Sequence, residues 1–412
     1  MAQLRRPELV LGLRANAGQF ALLVGVNALV GAMVGQERTV VPLLAAETFG
    51  LATTYSALTF LVAFGIAKAV TNLIAGTLAD RYGRKPVLVA GWIMALPVPF
   101  LLIFAPDWAW IVAANVLLGI NQGLTWSTTV LMKLDLVGPQ RRGLALGLNE
   151  ASGYLAVAGS AFVTGLIAES AGLRPAPFFL GIAIAGLGLG ASVLLVRETR
   201  GHVAVEADQV EAAPRESWRR VAWRTSVADP SLSAASQAGF VNNLNDALAW
   251  GLLPIVQGAA GLSLAEIGLL AAAYPATWGI VQIVTGGASD RTGRKPLIVA
   301  GMILQAAAIA WIAVAPGLLP WLLGAVALGV GTAMVYPTLI AVVADVAPPG
   351  QRGATVGIYR FWRDLGFAAG AILVGLIADV LGATPAILIV AAITAVSGLL
   401  VAGRMRETRP GP

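Results

Sequence analysis

The chain of 412 residues has no cysteine and a single histidine, and charged residues make up only 12% of it. The lack of cysteine excludes disulfides and thiolate metal sites. Soluble domains carry about 25% charged residues, whereas 58% of this chain is apolar, so we do not expect it to fold in water. The one histidine, His202, lies in a polar segment, and no phosphate-binding loop of the Walker type is present. These absences argue against an enzyme, against ATP hydrolysis and against a bound cofactor or metal.

The sequence repeats itself at an offset of 210 residues. The heptapeptide DRYGRKP at 80–86 returns as DRTGRKP at 290–296, and GLIAE at 165–169 returns as GLIAD at 375–379. A repeat of this extent indicates a duplicated structural unit. We predict a first repeat at 1–197, a linker at 198–232 and a second repeat at 233–412.

Long apolar runs in both repeats predict membrane-spanning helices. The mean hydropathy is +0.80, and the runs reach the ~20 residues needed to cross a bilayer. Six spans are predicted in each repeat, at 17–44, 55–78, 87–105, 109–132, 144–168 and 176–196, and at 233–257, 264–288, 297–315, 320–344, 354–378 and 384–402. The first run exceeds the apolar core of a signal peptide, so we expect it to be a permanent helix. The predicted fold class is an all-α membrane protein with twelve transmembrane helices in two pseudo-symmetric six-helix bundles.

Basic residues are concentrated in alternate loops. One set of loops and ends holds 22 lysines and arginines, while the other set holds only Arg174. Because basic residues flanking spans are retained in the cytoplasm, we expect an inner (plasma) membrane protein with both termini cytoplasmic. This topology also explains the net charge of +6 without a nucleic-acid partner.

The predicted linker contains tryptophans and arginines at helical spacing. Trp218 and Trp223 alternate with Arg219, Arg220 and Arg224. A short helix there would place its tryptophans in the lipid interface. A solvated linker with incidental tryptophans explains the same composition.

The loop after the second predicted helix carries a family signature. GTLADRYGRKPVL at 76–88 and its second copy, GGASDRTGRKPLI at 286–298, resemble the G-x-L-A-D-R-x-G-R-K-x-x-L motif of the major facilitator superfamily of secondary transporters. The resemblance covers the whole chain and implies two six-helix bundles that rock about a central cavity.

The resemblance also implies a cytoplasmic gate. Asp80 is expected near the start of a helix of the other bundle, attracted by the positive end of its dipole, and Arg84 is expected to bridge to Asp135. The gating residues carried over to both repeats are Asp80, Arg84, Asp135 and Arg142, with Asp290, Arg294, Asp345 and Arg352.

Eight ionisable residues lie well inside the predicted spans, away from their ends, where charge is costly and marks candidate functional groups. They are Glu37, Arg38, Lys68, Glu150, Asp246, Arg360, Arg363 and Asp364. Mutual neutralisation that fixes helix packing explains several of them equally well. Glu150 and Arg360 are related by the repeat offset, which suits ion pairs that alternate between two states. Because a low-dielectric cavity favours the uncharged carboxyl group, we expect Glu37 or Asp246 to carry a proton.

Two further features bear on the substrate. Asn242, Asn245 and Asp246 share a helix face with Trp250 nearby, and together with Asn149 they predict a pocket for a small polar or amphipathic molecule. The alternative is that the amides hold helices together. Lys68, Arg360 and Arg363 would instead suit an anionic substrate.

The sequence therefore predicts a secondary transporter, with proton-coupled export of a small organic solute as the first hypothesis. Proton-coupled uptake of an organic anion or polar nutrient is the second, and a non-transporting receptor is the third. Two drug-exporter features are missing, since the R-x-x-x-G stretch reads NVLLG at 115–119 and 144–168 has no proline. We expect a monomer whose partners are the bilayer, a solute and protons, with the proton gradient as its energy source.

Overall fold

The computed structural model describes residues 10–138, 142–202, 217–348 and 351–408, and the side chains of residues 142–144 and 290 also lie outside the described part. In those ranges the chain is helical and contains no strand. The first repeat contributes α1 (Ala17–Arg38), α2 (Val41–Glu47), α3 (Thr54–Tyr82), α4 (Arg84–Ala95), α5 (Pro97–Phe104), α6 (Trp108–Val137), α7 (Arg142–Ala171) and α8 (Ala176–Leu194).

The linker and the second repeat are also helical in the described ranges. They contain α9 (Trp218–Trp223) with a π-helical turn (Arg224–Ala228), α10 (Pro230–Ala247) with a π-helical turn (Leu248–Leu252), α11 (Leu253–Ala259), α12 (Leu264–Thr292), α13 (Arg294–Val314), α14 (Leu318–Val346), α15 (Arg352–Leu381) and α16 (Ala383–Arg404).

Ten helical segments of the described ranges are long and apolar enough to cross a membrane. They coincide with ten of the predicted spans. The other two predicted spans, 109–132 and 233–257, are occupied by α6 and by the helical run 230–259, which are rich in buried amides such as Asn115, Asn121, Asn242 and Asn243.

Prolines account for the breaks inside three predicted spans. Proline lacks the N–H that an α-helix requires and restricts the residue before it. The first span divides before Pro42, and the third divides before Pro97. The seventh passes through its π-helical turn just before Pro254, where a π-bulge accommodates the missing donor.

Two interfaces join the repeats: α3 packs along α15, and α7 packs along α12. Glycines allow close approach at one end. A Cβ on Gly165 would lie 2.8 Å from the Cα of Gly268, and a Cβ on Gly375 would lie 2.7 Å from the Cα of Tyr55. These contacts lie at the side of the molecule opposite the signature loops, which we call the opposite face; the signature-loop side is the basic face.

The paired helices are farther apart at the basic face than at the opposite face. Gly147 and Gly357 lie 18 residues before Gly165 and Gly375, which is five helical turns, or about 27 Å, so each pair shares a face. A Cβ on Gly147 or Gly357 would meet no atom within 4 Å, and the same holds for Gly286 of α12. The two interfaces therefore close at the opposite face and open at the basic face.

Candidate functional site

A polar cavity lies at the centre of the interface between the repeats. The side chains around it come from both repeats: Lys68, Asn72, Trp126, Ser127, Tyr154, Tyr336, Arg360, Arg363 and Asp364. A second gap lies within the second repeat, between Trp250, Tyr274 and mostly aliphatic neighbours, and no charged side chain of the described residues lines it. The central cavity is therefore the better candidate for a charged ligand.

Asp364 contacts both charged and amide side chains of the central cavity. Its carboxylate lies 3.2 Å from Nη1 of Arg363 and 3.5 Å from Nζ of Lys68. It also accepts hydrogen bonds from Asn72 of the first repeat and from Asn243. One carboxylate thus contacts two cations and two amide donors, which come from both repeats.

Glu150 and Arg360, which the sequence relates by the repeat offset, face each other across the interface. Oε1 of Glu150 lies 4.0 Å from Nη2 of Arg360. The carboxylate also accepts from Trp126 at 3.0 Å and from the Tyr336 hydroxyl at 2.9 Å. Nη1 of Arg360 donates to Ser127 at 3.2 Å. The pair is long, so Arg360 keeps donors for another anion.

Aromatic rings separate this cavity from the opposite face. Tyr154 of α7 stacks on Trp278 of α12 with centroids 3.5 Å apart, and Tyr154 accepts a 2.9 Å hydrogen bond from Arg363. Arg363 also lies 4.2 Å from the centroid of the Tyr336 ring. These contacts span both repeats and form the floor of the cavity.

Glu37, Arg38 and Asp246 form a second buried group beyond the aromatic rings. All three are fully buried. Glu37 accepts from Asn115 at 2.9 Å, and Asp246 accepts from the Tyr274 hydroxyl. Within the described part of the chain, the guanidinium nitrogens of Arg38 and one oxygen of each carboxylate have no hydrogen-bond partner.

Arg38 is instead held against aromatic rings. Its guanidinium carbon lies 4.7 Å from the centroid of Phe64 and 5.6 Å from that of Trp250. A buried cation and two buried carboxylates with unused hydrogen-bonding atoms are candidates for proton exchange.

The amides predicted to share one cavity lie in two separate groups. Asn245 donates to Gln305 at 2.9 Å and accepts from Thr394, and Asn242 accepts from Gln305 at 3.2 Å. Asn149 donates to Glu150 at 3.0 Å and so lies beside the central cavity. The structure places Asn242 and Asn245 between helices of the second repeat, away from the cavity walls.

The signature loops form the same cluster in both repeats. Arg84 lies 2.5 Å from Asp80 and 3.1 Å from Asp135, the contact that the sequence predicts. Arg294 lies 3.2 Å from Asp345 in the second copy. Each arginine follows a glycine in the left-handed region, Gly83 with φ 101° and Gly293 with φ 97°, a conformation that only glycine adopts freely.

The remaining gating residues are arranged differently from the expectation. Asp80 is 74% exposed and pairs with Arg84 of its own repeat, rather than with a helix start of the second repeat, because the interfaces are parted at this face. Arg352 donates to the carbonyl of Ala344 at 3.1 Å. The side chains of Arg142 and Asp290 lie outside the described residues.

Sequence reasoning missed a glutamate in each basic-face cluster. Glu198 accepts from the backbone N–H groups of Arg84 and Lys85 at 3.0 Å, and Glu407 accepts from those of Arg294 and Lys295. Burial opposes the charge of Glu198, yet these backbone donors, with two more from residues 199 and 200, hold the pKa of Glu198 below its ordinary value of 4.5. The signal was present as the tetrapeptide RETR at 197–200 and 406–409.

Carboxylates also cap helix starts across the interface at the opposite face. Asp379 accepts from the N–H groups of Thr54 and Tyr55 at 2.6 and 2.9 Å. Glu169, its partner in the GLIAE repeat, accepts from Ala265 at 3.2 Å. The repeat was visible in the sequence, but its contact was not.

Lys133 corrects one assignment made from the sequence. Lys133 follows the predicted span 109–132 and is one of the 22 basic residues that the sequence assigns to loops and ends, but α6 continues to Val137 and buries it fully. Its Nζ donates to the carbonyl of Leu23 at 2.9 Å. The helix runs beyond the predicted span, so this lysine joins the ionisable groups inside the protein.

Comparisons with known proteins agree with this architecture. A solved POT family transporter in complex with 5-aminolevulinic acid superposes with a TM-score of 0.75 at 12% identity, covering 93% of this chain and 95% of that one. The human organic anion transporter MFSD10 (TETRAN) superposes with a TM-score of 0.68 at 18% identity, covering 93% and 99%. At these identities the likeness concerns the fold alone.

Curated relatives match a shorter stretch. The hexuronate transporter of Bacillus subtilis (strain 168) is 28% identical over 34% of this chain and 33% of its own length. The quinolone resistance protein NorA of Staphylococcus aureus (strain MRSA252) is 30% identical over 31% of this chain and 33% of its own length. The chain thus spans about a third of the length of these relatives. The family model of the Major Facilitator Superfamily matches residues 18–241 and 235–412, and the chain therefore belongs to this superfamily.

Proposed function

We propose that the chain is a secondary active transporter that moves a small organic solute by alternating access, with proton-coupled export as its direction. In this proposal, twelve helices cross the inner membrane in two six-helix bundles, 1–197 and 233–412, joined by the linker 198–232, with both termini cytoplasmic. The observation that carries it is a charged cavity between the repeats that is closed at one face and parted at the other.

The opposite-face contacts supply one state of the cycle. Asp379 and Glu169 neutralise the positive ends of two helices that belong to the other repeat, while the glycine contacts bring the backbones together. When the bundles rock, these contacts part and the basic face closes. Asp80, which is now exposed, then becomes available to the helix starts of the other bundle, as the family pattern implies.

The cavity charges favour an organic anion. Among the described residues, Lys68, Arg360 and Arg363 form ion pairs with two carboxylates, Glu150 and Asp364, an excess of one positive charge that an anionic ligand would neutralise. The rings of Trp126, Tyr154 and Tyr336 offer surface to an apolar part of the same molecule. This observation supports the second candidate, uptake of an organic anion together with protons.

Glu37 and Asp246 are the proposed proton carriers. Each is fully buried and has one oxygen without a hydrogen-bond partner among the described residues. Neither residue lines the central cavity. Protonation of either carboxyl group would remove one of the two negative charges that act on Arg38, a local change that can shift the balance between two conformational states.

Purified protein in liposomes with an imposed pH gradient tests the proposal. Anionic, cationic and neutral solutes are compared in counterflow and in gradient-driven flux. Export driven by inward proton flow supports the first candidate, and co-entry of solute with protons supports the second. A receptor would move no solute from any class.

Amide variants then locate the proton carrier. We expect Asp246→Asn or Glu37→Gln to retain counterflow but to lose gradient-driven accumulation, because an amide cannot take up and release the proton. Asp107→Asn, at an exposed helix cap, is the matched control and should keep coupling. Coupling that survives both variants would remove these residues from the mechanism.

A further inference from the structure

The linker helix presents a basic and aromatic outer face. In α9 and the π-helical turn that follows, Val221 and Thr225 are buried against the protein. Trp218 and Trp223 are 58% and 63% exposed, and Arg219 and Arg220 are exposed as well. At about 100° per residue, Arg219 and Trp223 lie opposite Val221, and Arg220 lies beside Trp223 on the adjacent side of the helix. This face consists of an indole flanked by two guanidinium groups.

The linker helix is fixed to the second repeat. Trp362 of α15 donates its indole N–H to Ser226 at 2.8 Å, and Arg224 donates to Gln351 at 2.6 Å. Arg404 of α16 donates to the carbonyl of Val227 at 2.9 Å. The helix therefore moves with α15 and α16, and its inner face is already occupied by these contacts.

Trp362, which holds the linker helix, is a close neighbour in the α15 sequence of two residues that line the central cavity. Trp362 lies between Arg360, which faces Glu150, and Arg363, which binds Asp364 and Tyr154. A displacement of the linker helix would thus be transmitted through Ser226 and Trp362 to the turn of α15 that carries the cavity cations.

We propose that the outer face of the linker helix binds anionic phospholipid headgroups at the membrane surface on the side of the protein's basic face. We propose that this binding biases the position of α15. Tryptophan prefers the headgroup region of a bilayer, and a basic side chain near an anionic surface gains about 1 kcal/mol. The two arginines supply the charge and Trp223 supplies the amphipathic ring. The proposal rests on the membrane location of the family and does not depend on the identity or direction of the transported solute.

Lipid binding is tested on the full chain in detergent by native mass spectrometry with added phosphatidylglycerol or phosphatidylcholine. Wild type should bind phosphatidylglycerol preferentially. Loss of both charges in Arg219→Gln with Arg220→Gln should lower that preference on the order of ten- to thirtyfold, from about 1 kcal/mol per arginine. Arg197→Gln with Arg200→Gln removes the same charge from exposed residues of the neighbouring connection and should have little effect.

The outcomes distinguish the sources of binding. Equal losses in the two double variants would mean a diffuse charge effect and would overturn the linker-helix site. Inorganic phosphate at millimolar concentration should not displace the lipid, because Trp223 contributes apolar contact; displacement would show a simple phosphate site and overturn the lipid assignment.

The coupling to α15 is tested separately. Spin labels on Tyr82→Cys and Thr292→Cys, two exposed positions of the basic face, report its width in nanodiscs. Phosphatidylglycerol should shift the distance distribution in wild type. Ser226→Ala, which removes the acceptor of the Trp362 N–H, should keep lipid binding but reduce that shift. An unchanged distribution in wild type, or a full shift in Ser226→Ala, would refute the coupling.

Discussion

The contact of Asp379 with α3 yields a quantitative prediction about the conformational equilibrium. The carboxylate accepts two backbone N–H groups of the other repeat, at 2.6 and 2.9 Å, and lies at the positive end of a helix. Hydrogen bonds to a charged acceptor contribute about 1.5–3 kcal/mol when buried. Asp379 is exposed, and asparagine retains one acceptor oxygen, so we assign about 1 kcal/mol to Asp379→Asn. This corresponds to a roughly fivefold shift toward the state that is open at the opposite face.

The second copy of the contact provides an internal comparison. Glu169 accepts only one N–H, at 3.2 Å, so Glu169→Gln should shift the equilibrium less than Asp379→Asn. The two contacts share no partners, and their effects should add in the double variant.

The absence of cysteine makes the measurement direct. Ala109→Cys and Leu319→Cys introduce the only thiols, on exposed positions of the opposite face related by the repeat offset. Pulsed dipolar distances between spin labels should show a growing long-distance population in the order wild type, Glu169→Gln, Asp379→Asn, double variant. An unchanged distribution in Asp379→Asn, or a larger effect from Glu169→Gln, would refute the reasoning.

Two further predictions concern stability and packing. The pKa of Glu198 is held below 4.5 in the folded chain, so its stabilisation is complete above the unfolded value and is lost as pH falls through the folded value. Glu198→Gln should therefore lower thermal stability at pH 7 by at most about 1 kcal/mol, because the carboxylate is partly exposed, and the difference from wild type should vanish on acidification; a constant difference would contradict it. Gly165→Ala places a Cβ 2.8 Å from the Cα of Gly268 and should destabilise the closed opposite face by about 1–3 kcal/mol. The distance between spin labels at positions 109 and 319 should therefore increase. Gly147→Ala, on the same helix face but with open space around it, should leave that distance unchanged.

Individual site residues could be predicted only where a residue and its neighbours in the sequence were sufficient to identify them. An ionisable side chain inside an apolar run is conspicuous, and Glu37, Lys68, Glu150, Asp246 and Asp364 are indeed buried or nearly so. Helix ends were less predictable, because helices continue past the apolar core of a membrane, and Lys133 was misassigned for that reason. The partner of each side chain depends on helix rotation and register. The position of Asn242 and Asn245 beside Gln305, away from the central cavity, could therefore not be predicted from their spacing.

The sequence alone determined that this chain is a duplicated membrane protein of the Major Facilitator Superfamily, because hydropathy, loop charge and a repeated signature are properties of residues in order. Only the tertiary structure decided that Asp364 serves both Lys68 and Arg363, that Tyr154 stacks on Trp278, and that the interface is closed at one face and parted at the other. Those features arise between helices that are distant in the chain, where small rotations and shifts of packed helices select the contacts.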